Sequence, residues 1–201
     1  MEYFLESVSD VMSKDFLVLK PADTTEKALG LMRESGVSAI LVISKKKDLR
    51  LVSSLHLLEA GDSPSTKLGS IARPTPSFMP NDAILDAAKA LVSHRIEAVP
   101  ILDRNENILG IVTRNDIVKY ALRTGWLDTF KVKDAMSTNL VVASPNDSAS
   151  KVRRLIVNHG IKQVLIIAED GKLVGIVKIR DLLERIYGIT VRRSTVGERV
   201  G

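Results

Sequence analysis

One segment of this sequence occurs three times, and that repetition limits the possible fold more than any other feature. Val8-Ser9-Asp10-Val11-Met12-Ser13 returns nearly unchanged as Val132-Lys133-Asp134-Ala135-Met136-Ser137, with a weaker copy at Leu68-Gly69-Ser70-Ile71-Ala72-Arg73. After each start comes a Pro-x-Asp: Pro21-Ala22-Asp23, Pro80-Asn81-Asp82 and Pro145-Asn146-Asp147. Each copy closes on a matching stretch, Leu51-Val52-Ser53, Ile111-Val112-Thr113 or Ile176-Val177-Lys178. The period of about 60 residues is too long for a helical solenoid repeat and suits a small α/β unit.

The pattern divides the chain into copies at 1–66, 67–124 and 125–188, with 189–201 left over. In that tail Val196-x-Glu198-x-Val200 echoes Val8-x-Asp10-x-Met12, as if a fourth copy began. Within a copy the predicted order is strand, helix, strand, strand, helix. Phe16 to Leu19 is a short first strand, and Asp23-Thr24-Thr25-Glu26 reads as a capping box with Asp23 as the cap. In the second copy Ile84, Ala87, Ala88, Leu91 and Val92 share one helical face. The apolar second strands are Ala39 to Ile43, Ala98 to Leu102 and Gln163 to Ile167. A polar turn, a third strand and a closing helix follow each.

Composition removes several classes of function. The chain has no cysteine, which excludes disulfides, thiolate metal sites and a cysteine nucleophile. No apolar run approaches the length of a membrane span, and the two acids in Met1 to Glu6 are unlike a signal peptide, so a cytoplasmic location is expected. The net charge of +5 is spread along the chain; only Lys45-Lys46-Lys47 and Arg192-Arg193 cluster. His56, His94 and His159 fall in different copies, no metal-ligand spacing occurs, and Ser53-Ser54 lacks a nucleophile elbow. A binding module is expected rather than an enzyme, with no cofactor and no metal required.

The Val-x-Asp-x-Met openings, the Pro-x-Asp turns and Gly110-Ile111-Val112-Thr113-Arg114-Asn115-Asp116 together resemble the cystathionine β-synthase (CBS) domain family over nearly the whole chain. The resemblance implies that copies one and two pack through their sheets as a Bateman module. It also implies an adenine nucleotide (AMP, ADP or ATP) in the cleft between paired copies. Thr113 would then approach phosphate, Arg114 would stand in the same turn, and Asp116 would accept from ribose. Thr75, Ala98 and Pro100 would line the base. Thr113-x-x-Asp116 is equally a capping box that needs no ligand.

The other copies depart from this pattern. Copy one has His56 where copy two has Asp116, and Leu41 where copy two has Pro100. His56 either contacts a phosphate in the neighbouring cleft or is a plain surface histidine. Copy three keeps the acid as Asp181 but has Lys178 for the hydroxyl and Arg180 beside it. Lys178, Arg180 and Asp181 make a second site, or the two cations are solvated.

By resemblance, the chain is a regulatory energy sensor, similar to the γ subunit of AMP-activated protein kinase and to stand-alone microbial CBS proteins, acting on a partner that the sequence leaves unknown. Two alternatives stand beside it: a nucleic-acid-binding or transcription-linked module, and the same fold sensing S-adenosylmethionine. An odd number of copies leaves the third unpaired. A homo-oligomer through copy three is therefore expected, or a four-copy protein of which this is part.

Overall fold

The computed structural model describes residues 6–45, 48–61 and 63–188. They fall into two compact units, one ending at Leu140 and one beginning at Val141. Lys46, Lys47, Arg192-Arg193 and the fourth-copy echo in 189–201 lie outside the described residues.

In the first unit a 3-10 turn (Val8–Asp10) precedes β1 (Val18–Leu19), α1 (Thr25–Ser35), β2 (Ala39–Ile43), β3 (Leu49–Ser53) and α2 (Ser54–Ala60). The second repeat follows as α3 (Leu68–Ile71), β4 (Arg73–Pro74), α4 (Ile84–Ser93), β5 (Ala98–Leu102), β6 (Ile108–Thr113) and α5 (Arg114–Arg123). A 3-10 turn (Trp126–Thr129) and α6 (Val132–Ala135) come next. The second unit holds β7 (Val142–Ala143), α7 (Ala149–His159), β8 (Gln163–Ile167), β9 (Leu173–Lys178) and α8 (Ile179–Ile186). The second strands of all three copies are the predicted ones, a third strand follows each as expected, and the fold is the mixed α/β repeat that the sequence implies.

Each second strand pairs antiparallel with the third, and the first runs parallel to the second: β1 on β2, β7 on β8, and an isolated bridge from Phe78 to Ile101 in repeat 2. Helix α4 presents Ile84, Ala87 and Leu91 to a core with Val99, Ile101, Val112 and Tyr120. Val92 lies outside that face and is exposed, because the buried stripe is narrower than the run of apolar residues.

The helix starts differ from expectation in one respect. The cap of α1 is Thr24, which accepts from the Lys27 amide. Asp23 instead closes the preceding turn: it accepts from Lys20 N at 2.7 Å, while Asp23 N donates to Lys20 O. Asp82 and Asp147 repeat this with Met79 N and Ser144 N. A carboxylate three residues past the start of a turn reaches back to the turn's first amide more readily than forward to the helix.

Repeats 1 and 2 are joined by trading their opening segments. Val8 N donates to Asp82 O and Ile84 N to Glu6 O, so the first segment lies on repeat 2, with Val8 in that repeat's core. Conversely, Leu68 N donates to Asp23 O and Gly69 N to Pro21 O. The trade continues into the sheets: Ser13 bridges to Ile111 on β6, and Arg73 pairs with Leu51 on β3. A Cβ on Gly110 would lie 2.6 Å from Ser13 O, so only glycine admits this crossing. Between the two sheets Leu41 and Leu51 pack on Ala98 and Ile111. The second and third strands of these repeats (β2, β3, β5 and β6) thus bury residues on both faces, as in a paired module.

Candidate functional site

The end of β6 builds the centre of the site. Thr113 is extended at φ −107°, ψ 166° and caps α5. Its hydroxyl accepts from Asp116 N at 3.2 Å and donates to Asp116 Oδ2 at 2.6 Å. Thr113 N donates to the same Oδ2 at 2.9 Å. Both donations fall on one carboxylate oxygen, so the cap is complete while Oδ1 remains available to a second donor. The capping box and a ligand contact are therefore compatible.

Register brings the other nominated residues alongside. Ala98 is the Cα partner of Thr113, and Pro100 that of Ile111. Thr75, just beyond β4, donates its hydroxyl toward Ala98 O at 3.4 Å and Pro76 O at 3.3 Å. Thr75, Ala98 and Thr113 thus gather at one end of the β5–β6 ladder, with Pro100 two residues along it. Arg114 points elsewhere: Nε donates to Ile96 O at 2.9 Å, Nη2 to Leu91 O at 3.2 Å, and Nη1 lies 3.6 Å from Glu97 Oε1. It ties the end of α4 to the start of β5.

Pro76 is a feature that the sequence reading missed. In repeat 1 Leu41 N donates to Leu17 O at 3.1 Å, and in repeat 3 Leu165 N donates to Val141 O at 3.4 Å. The matching residue in repeat 2 is Pro100, which has no N–H to give. The first ladder contact there moves one residue on, where Phe78 N donates to Pro100 O at 3.0 Å. The ladder thus begins past Thr75-Pro76, and the Pro76 carbonyl, the counterpart of Leu17 O, has the Thr75 hydroxyl 3.3 Å away in place of a strand N–H. The signal in the sequence is Pro100, whose missing N–H deletes the bond that leucine makes in the other repeats.

Repeat 1 is closed at the same place. Ser53 caps α2 and accepts from His56 N, while His56 Nδ1 accepts from Ser53 N at 3.2 Å. His56 is buried rather than a surface residue; burial, reinforced by the Arg73 guanidinium, pushes its imidazole down to about 4. At neutral pH it is uncharged and has no cation to offer a phosphate. In repeat 3 Asp181 Oδ2 accepts from Lys178 N at 3.0 Å. Lys178 is exposed, and Arg180 Nε reaches Glu184 Oε1 at 3.3 Å along α8. Among the described residues no group of acids and histidines is arranged to hold a metal ion, and no helix is long and apolar enough to cross a membrane.

The profile of the CBS domain matches residues 8–60, 68–123 and 132–188. An uncharacterized protein of Methanocaldococcus jannaschii is 28% identical over 199 residues, 98% of this chain and 47% of its own length. The chain therefore spans less than half of that relative. A structure described as a putative archaeal homolog of g-AMPK, also from M. jannaschii, superposes with a TM-score of 0.73 at 18% identity, covering 86% of this chain and 69% of its own. CBSX2, solved in complex with AMP, gives 0.52 at 26% identity over 60% of this chain and 98% of its own.

Proposed function

The chain belongs to the CBS domain family, and from that premise we propose that it is a regulatory module binding an adenine nucleotide in the repeat 2 cleft. Asp116 Oδ1 accepts from the ribose hydroxyls, and the phosphate lies beside Thr113 at the positive end of α5. The base lies against Ala98 and Pro100, with its edge at Thr75 and the Pro76 carbonyl. The observation that carries this reading is the coincidence, in repeat 2 alone, of the complete cap and the opened ladder. The complex of CBSX2 with AMP supports the ligand class.

The proposed role is binding rather than catalysis. The ligand touches the ends of β5 and β6 and the segment beyond β4, where repeats 1 and 2 are joined. A ligand that binds one pair geometry more tightly shifts the population toward it, and a partner reads that shift. Thermal shift with adenosine, AMP, ADP, ATP and S-adenosylmethionine tests the ligand class. Stabilisation by the phosphorylated members above adenosine is expected. A response to S-adenosylmethionine alone, or to none of them, would overturn the assignment.

A further inference from the structure

We infer that the third repeat pairs with the third repeat of a second copy by trading the opening segments Val132 to Ser137, each laid on the other copy's β9. The pair formed by repeats 1 and 2 is the template. There the opening segment of each repeat leaves its own fold and completes the other's core and sheet. Val8 and Leu68, the first apolar residues of those segments, are both 0% exposed. Val132 stands at the same place in the repeat and is 83% exposed, with Met136 at 58%.

The receiving surface shows the same contrast. Ile111 and Leu51, which take the traded segments on the third strands, are 7% and 2% exposed. Ile176 is their counterpart on β9, and it is 44% exposed, with Val174 at 57%. Gly110 is pressed against Ser13 O, whereas a Cβ on Gly175 would meet nothing within 4 Å. Repeat 3 thus keeps the glycine that seats Ser13 in repeat 2, with open space above it, whereas repeat 1 seats Pro74 with Arg50 at that position.

Repeat 3 carries both halves of the exchange: a segment of donor type and a strand of acceptor type. A second copy satisfies both at once, because each chain gives what the other lacks. Such an interface is isologous and closes at two copies, leaving no further edge to grow from. Apolar surface of this kind on one sheet is uncommon on a monomer. The inference holds whichever ligand repeat 2 takes.

The absence of cysteine makes the test direct. By analogy with Ser13 and Ile111, Ser137 of one chain should lie opposite Ile176 of the other. Cα atoms in a hydrogen-bonded antiparallel pair are about 5.5 Å apart, within disulfide reach. Ser137→Cys and Ile176→Cys chains, mixed and mildly oxidised, should give a covalent dimer whose linked peptides join those two positions. The unaltered chain should sediment as a dimer at tens of micromolar, and Gly175→Glu as a monomer with unchanged circular dichroism. A monomeric unaltered chain, a dimer that survives Gly175→Glu, or cross-links that never join positions 137 and 176 would each overturn the inference. Those results would leave β9 to a repeat from another protein or from a longer chain.

Discussion

Ser13 and Ile111 belong to different repeats, yet each donates its N–H to the other's carbonyl at 2.9 Å. This pair of bonds depends on Gly110, whose added methyl would collide with a backbone oxygen that has no side-chain freedom. Gly110→Ala should therefore destabilise the paired repeats by about 1–3 kcal/mol. Urea unfolding checks it; an unchanged midpoint would mean that the crossing carries no stability.

A second expectation concerns the end of α4. Helices α1 and α7 end on glycines in the left-handed region, Gly36 at φ 68° and Gly160 at φ 61°. Repeat 2 has Arg95 at φ 53° in the corresponding place. An L-residue there costs about 1 kcal/mol, and glycine relieves it. Arg95→Gly should raise the thermal midpoint, an outcome contrary to the general cost of adding glycine. A lowered midpoint would show that the Arg95 side chain contributes more than its backbone loses.

The buried His56 gives a pH signature. Burial holds its folded pKa at about 4, below the ordinary histidine value of 6.5, so the unfolded chain binds the proton more readily. The stability associated with neutral His56 is present above about pH 6.5 and is lost as pH falls toward 4. Between pH 7 and pH 5 the loss is about 2 kcal/mol from this group. Denaturant titrations of the unaltered chain and His56→Gln at both values isolate it, since the other titrating groups are shared. Equal losses in the two proteins would contradict a neutral buried imidazole.

Much of this was written in the sequence, for reasons that particular residues make plain. The strands Ala39 to Ile43, Ala98 to Leu102 and Gln163 to Ile167 were readable because local apolar patterning decides them. The Thr113–Asp116 box was readable because it spans one helical turn. The trade of Val8 and Leu68 between repeats was not, since it is a choice between equivalent surfaces far apart in the chain. Nor was the burial of His56, because the same residue type at an open helix start would be solvated. Asp23 shows a third limit: a turn and a cap competed for one carboxylate over a few residues, and the turn won.

The opened ladder makes its own prediction. Replacing Pro100 by leucine, the residue at this position in repeats 1 and 3, restores an N–H able to meet the Pro76 carbonyl. Pro100→Leu should weaken AMP binding by about tenfold, or 1.4 kcal/mol, while leaving the fold at least as stable. Calorimetric titration together with thermal unfolding separates these effects. Undiminished affinity would remove the ladder opening from the binding reading.

The most direct measurement is calorimetric titration of AMP into the unaltered chain, Asp116→Ala and Asp181→Ala. The account expects Asp116→Ala to lose the ribose acceptor in the repeat with the open ladder, and AMP affinity to fall by at least about tenfold. Asp181→Ala, altered in a repeat whose ladder is closed by Leu165, should bind AMP as the unaltered chain does. Unchanged affinity in Asp116→Ala, or a loss confined to Asp181→Ala, would contradict the placement of the nucleotide in repeat 2.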